Sequence, residues 1–182
     1  MSWVPLVSTV VGAIIALSGS LLASRFTARD QLSRDREIFR RTVYVDFATA
    51  LDAAHLALRT VAREDSSGEE RRAAANVAVA GSGLHRTREH LLMFGPAAVA
   101  GAGESAFKAL IDVRQAVRAG ADLHSLEYHA AYHAFAEKVW SLRMVVRGDV
   151  AEAAFTPRAL GRSDWSEVDD CPTCGRRALT QR

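Results

Sequence analysis

The chain has 182 residues, a formal net charge of +2 and a pI near 8.8. That length suits one domain plus one further segment, and so small a charge excess gives no ground for nucleic-acid binding. Its only cysteines, Cys171 and Cys174, exclude a disulfide scaffold.

Trp3–Ser24 carries no charged side chain over 22 residues. As a helix it would be about 33 Å long, against about 30 Å for the hydrocarbon core of a bilayer. Its Val, Ile and Leu side chains favour insertion by about 3–6 kcal/mol, less what Ser, Thr and Gly subtract. No basic residue precedes the run and no Ala-x-Ala site follows it, so the expectation for 3–24 is an uncleaved transmembrane helix and not a signal peptide. Ser8, Gly12, Ala16, Ser20 and Ser24 recur every fourth position, a small-residue stripe through which such helices self-associate.

Arg25, Arg29, Arg34, Arg36, Arg40 and Arg41 follow, and no arginine precedes. The positive-inside rule then predicts a single-pass protein of the cell membrane, N-terminus outside and the bulk of the chain cytoplasmic. At 100° per residue Arg25, Arg29, Arg36 and Arg40 fall on the face that is apolar further along. A bundle core rejects unpaired charge, so 25–38 reads as a juxtamembrane stalk and packing is expected to begin near Phe39. The arginine stripe serves either lipid headgroups, at about 1 kcal/mol per residue, or topology alone.

From Phe39 the apolar positions Val43, Phe47, Ala50, Ala54, Leu58 and Val61 keep a helical period. Asp65-Ser66-Ser67-Gly68 breaks this helix, and Glu69 and Glu70 open the next, whose seam is expected at Val77, Leu84 and Leu91, filled out with alanines, with an interruption at Gly81-Ser82-Gly83. Gly95-Pro96 ends it. A third seam runs Val99, Gly103, Ala106, Leu110, Val113, Val117, and a fourth, capped by Asp122 or Ser125, runs Tyr128, Tyr132, Phe135, Val139, Leu142, Val146. Gly148, between Arg147 and Asp149, reads as its terminus. The expected fold is all-α: a transmembrane helix continuing into an antiparallel bundle of about four helices over 39–148, then a flexible tail over 149–182 on which Phe155 and Trp165 are apolar exceptions.

Cys171-Pro172-Thr173-Cys174-Gly175 in that tail resembles a zinc knuckle, two thiolates on a tight turn. A structural zinc takes four ligands, so Cys171 and Cys174 need a second subunit's pair, or they stand as free or redox-active thiols. The expectation is no cofactor, with zinc the one candidate. His129 and His133 sit one helical turn apart, a spacing able to hold a metal, yet no Glu follows His129, and the pair reads first as a half-exposed packing face. Phosphate loops, dinucleotide fingerprints, nucleophile elbows and paired catalytic carboxylates are absent from the sequence.

The Trp3-Val4-Pro5-Leu6 start, the apolar run from Gly12 to Gly19 and the Arg-rich stretch into Tyr44-Val45-Asp46-Phe47 together resemble small single-pass membrane proteins of high-GC Gram-positive bacteria. The resemblance covers about the first third of the chain and carries no activity or functional residue with it. The expected role is a non-enzymatic scaffold, sensor or assembly component with a protein partner; the alternative is a metal- or redox-responsive module built on Cys171 and Cys174.

Overall fold

The computed structural model describes the backbone of residues 3–168, 171, 173 and 174, and the side chains of these except 4–24, 26 and 28. Its regular structure, among the described residues, is all helical. Helices α1 (Val4–Arg63), α2 (Gly68–Gly81), α3 (Leu84–Phe94), α4 (Ala97–Arg118) and α5 (Leu126–Asp149) are followed by a 3₁₀ turn at Pro157–Leu160, and no strand occurs among the described residues.

The helix ends follow local chemistry. Ser67 caps α2 reciprocally: the Glu70 amide donates to its hydroxyl (3.3 Å), and its own amide donates to the Glu70 carboxylate (3.1 Å). Gly83, at φ +72°, takes the left-handed conformation that turns α2 into α3, so the expected interruption is a full break. The Ser125 hydroxyl accepts the Tyr128 amide at the start of α5. At the other end α5 does not stop at Gly148 but runs through it to Asp149, whose carboxylate accepts the Tyr44 hydroxyl at 2.6 Å.

The chain divides into two compact units, Met1–Arg41 and Thr42–Arg182. In the first, α1 exposes Arg25, Arg29 and Arg36, half-buries Arg40, and pairs Arg41 with Glu37 at 2.5 Å. The expectations of a membrane span at Trp3–Ser24 and of an association stripe at Ser8, Gly12, Ala16, Ser20 and Ser24 rest on side chains outside the described residues. Among the described residues, no helix is long and apolar enough to cross a membrane.

The second unit holds the core. Phe39 is 50% exposed, and burial starts a little beyond it at Val43. One apolar cluster joins Phe47, Leu51 and Leu58 of α1 to Val79 of α2, Leu84 and Leu91 of α3, Val99, Leu110 and Val113 of α4, and Tyr128, Phe135 and Leu142 of α5. The α4 seam is buried at every expected position. The α2 seam is not: Val77 is 68% exposed while Ala75 and Val79 are fully buried. The left-handed break at Gly83 resets the helical phase, so Val77 and Leu84 do not share a face.

α4 packs on α2, α3 and α5. His55 of α1 lies against Tyr132 and Phe135, and Tyr44 against Asp149, so α1 and α5 run in opposite directions. Arg71 donates to the carbonyls of Glu64 and Gly120, both at 2.9 Å, binding the turn after α1 to the turn after α4. The guanidinium thereby supplies donors to carbonyls just past two helix ends.

Candidate metal centre

The segment after α5 does not trail free. Trp165 stacks on Trp140 of α5, ring centroids 4.6 Å apart and 17° from parallel, and the guanidinium groups of Arg143 and Arg162 lie 4.5 and 5.0 Å from the Trp140 ring. Glu167 accepts the Tyr132 hydroxyl at 2.9 Å and pairs with Arg162. Burial opposes the charge on Glu167, yet the bonds from Arg162 and Tyr132 outweigh it and hold the carboxyl below its usual range. Burial first, and then the bond to Glu167, push the Tyr132 phenol up to about 12, so it remains a donor.

Between these anchors the backbone is shaped by Asp164. Its Oδ1 accepts the Ser166 amide and hydroxyl, both at 2.7 Å, and the Glu167 amide at 3.1 Å. The bond from the Ser166 hydroxyl leads the causes that keep the Asp164 carboxyl low. This Asx-type turn sets the Ser166 carbonyl 2.7 Å from Nδ1 of His133. The carbonyl only accepts, so Nδ1 carries the proton, and in the neutral ring Nε2 presents the lone pair. Nε2 of His133 is buried and has no hydrogen-bond partner. A histidine oriented by a carbonyl at one nitrogen, with the other free, is the arrangement that metal-ligating imidazoles use.

The remaining donors converge there. Sγ of Cys171 lies 3.3 Å from Nδ1 of His129, and the Cys174 amide donates to Sγ of Cys171 at 3.4 Å. Cys171 is 8% exposed and His133 6%. One ligand atom from each of His129, His133, Cys171 and Cys174 falls within 4.8 Å of all the others. Zinc bonds of about 2.0–2.3 Å in a tetrahedron imply ligand-to-ligand edges of about 3.3–3.8 Å, so a contraction of about 1 Å completes the geometry. Two sulfurs and two imidazoles in a tetrahedron are a zinc donor set.

The structure therefore brings the two cysteines together with a partner pair from their own chain, where the sequence left the fourfold set to a second subunit. It also changes the reading of His129 and His133, which face the cysteines and not a neighbouring helix. The missing signal was that a C-x-x-C and an H-x-x-x-H in one chain already make four ligands. The other four histidines stand elsewhere: His55 on Tyr132, His85 on Phe107, His90 on Phe94, and His124 in the turn before α5, where its amide donates to Asp122. Pro172 and Gly175 of the knuckle lie outside the described residues.

No family model, curated protein or solved structure matches this chain.

Proposed function

We propose that the chain is a membrane-anchored, non-enzymatic helical module whose post-α5 strap is clasped to the bundle by a structural Zn²⁺. The observation that carries this is the meeting of four donor atoms, from His129, His133, Cys171 and Cys174, within 4.8 Å. Four protein ligands leave no open position for substrate or water, which favours a structural ion over a catalytic one. The apolar Trp3–Ser24 run followed by arginines supports anchorage with the helical body in the cytoplasm, where thiols remain reduced.

The role follows from what the clasp controls. The strap covers one face of α5 with Trp165 and Glu167, and the ion ties its far end to the same helix. Ion loss or thiol oxidation then releases the strap and uncovers Trp140 for a partner, a packing change and not a reaction. The contact of 3.3 Å between Cys171 Sγ and His129 Nδ1 also fits a metal-free sulfur–imidazole hydrogen bond, the basis of a purely redox-responsive module.

Limited trypsin digestion tests the clasp. In the zinc-loaded full chain, cleavage after Arg158 and Arg162 should be slow, and a zinc chelator under reducing conditions should accelerate it at least tenfold. Equal rates with and without chelator would sink the proposal.

A further inference from the structure

The strap brings more to the metal centre than its two cysteines. The Ser166 carbonyl, 2.7 Å from Nδ1 of His133, shares a peptide group with the Glu167 amide. In a planar trans peptide the N–H and the C=O point in opposite directions. The Glu167 amide donates to Oδ1 of Asp164 at 3.1 Å, so the same bond turns the Ser166 carbonyl the other way, onto His133. The Ser166 amide and hydroxyl, both at 2.7 Å from that oxygen, hold the preceding residue. The plane is held at a cost: Glu167 sits at φ +61°, in the left-handed region that side chains of its size rarely adopt. Backbone held in such a conformation is over-determined by its surroundings and gathers at functional sites.

Docking of the strap does not call for this turn. Trp165 and Glu167, on either side of Ser166, have their own anchors in Trp140, Tyr132 and Arg162. Asp164 itself is exposed, so burial in the bundle does not depend on it. What is left for Asp164 to fix is the direction of one carbonyl. That direction matters because a neutral imidazole can carry its proton on either nitrogen. With the carbonyl on Nδ1, the lone pair stays on Nε2, the buried nitrogen without a hydrogen-bond partner. We infer that Asp164 is a positioning residue for the metal centre: it aims the Ser166 carbonyl at Nδ1 of His133 and thereby fixes His133 as a ligand through Nε2. The inference rests on the zinc clasp and adds what governs its affinity, an exposed strap carboxylate that binds no metal itself.

The test is the zinc affinity of the purified full chain, measured by competition with a chromophoric chelator under reducing conditions. Asp164→Ala should bind zinc about 10–100-fold more weakly, the usual loss when the partner of a ligating histidine is removed. Two more variants separate geometry from charge. Asp164→Asn keeps an oxygen able to accept the same three bonds and should bind nearly as tightly as the unaltered chain. Asp164→Glu keeps the charge, but its longer stem carries the oxygen out of the turn, and it should bind as weakly as Asp164→Ala. Near-ultraviolet circular dichroism at saturating zinc should show the Trp140–Trp165 stack intact in all four chains. Unchanged affinity in Asp164→Ala, an Asp164→Asn chain as weak as Asp164→Ala, or an Asp164→Glu chain as tight as the unaltered one would each overturn the inference and leave the clasp standing. Loss of the stack in Asp164→Ala would reduce the turn to a docking device and overturn it as well. An unaltered chain that binds no zinc would overturn the inference and the clasp together. The contrast between Asp164→Asn and Asp164→Glu decides the matter if Asp164→Ala does not fold.

Discussion

Two glycines on α4 offer a matched test of the core. A Cβ added at Gly101 meets nothing within 4 Å, whereas one added at Gly103 falls 2.2 Å from Leu91 Cδ2 and 3.4 Å from Phe47 Cε1. Alanine in place of glycine inside a helix is worth about 0.8–1.0 kcal/mol, so Gly101→Ala should stabilise by about that amount. At Gly103 the carbon pair must open to about 3.5–4.0 Å, a displacement of more than 1 Å by a well-packed side chain. Overpacking of this kind costs about 1–3 kcal/mol. Leu91 borders a cavity between α1 and α5 and can retreat into it, which places the cost in the lower half of that range. The net for Gly103→Ala is then a loss of about 0–1 kcal/mol, and the gap between the two variants is about 1–2 kcal/mol, or about 2–8 °C in Tm at this chain length. Thermal unfolding followed by far-ultraviolet circular dichroism measures it. Adding Leu91→Val to Gly103→Ala should recover part of the gap, a coupling expected only for residues in contact. A Gly103→Ala chain that melts at or above Gly101→Ala would refute the close approach of α3 to α4.

Two further expectations concern protonation and topology. The folded-state pKa of His55 lies below its ordinary 6.5, first because of burial, so the unfolded chain binds the extra proton; this contribution is complete above about pH 6.5 and is lost as pH falls through that value toward the folded pKa. Wild type should therefore lose stability faster than His55→Phe between about pH 7 and 5 in denaturant titrations, and parallel curves would contradict the burial of a neutral imidazole. A reporter fused after Arg182 should be active only in its cytoplasmic form, and activity restricted to an extracytoplasmic reporter would reverse the proposed orientation.

Much of the fold was legible because some stretches permit only one solution. The α5 seam alternates large aromatic and aliphatic side chains with polar ones, and the α4 seam does so with Val, Ala and Leu, so a helical period stands out in both. Gly81-Ser82-Gly83 and Gly95-Pro96 punctuate the chain where helices end. The α2 seam was illegible because α2 is rich in alanine: a helix of small side chains can bury any of several faces, and tertiary packing, not side-chain size, selected Ala75 and Val79 over Val77. The site was half legible. Each ligand pair has a readable spacing, but their union depends on a strap whose course is set by long-range contacts, Trp165 on Trp140 and Glu167 with Tyr132, which no local period announces. The Asp164 turn that aims the Ser166 carbonyl at His133 uses residue types that, in sequence, read only as flexible tail.

The zinc clasp requires one chain to supply all four ligands to one ion. Metal content of the purified full chain tests it most directly, alongside Cys171→Ser and His133→Ala chains and with Co²⁺ substituted for zinc. One zinc per chain is expected, with its loss in both variants and the visible absorption of tetrahedral Co²⁺ with two thiolates. A chain without zinc, or one zinc per two chains retained by His133→Ala, would contradict it.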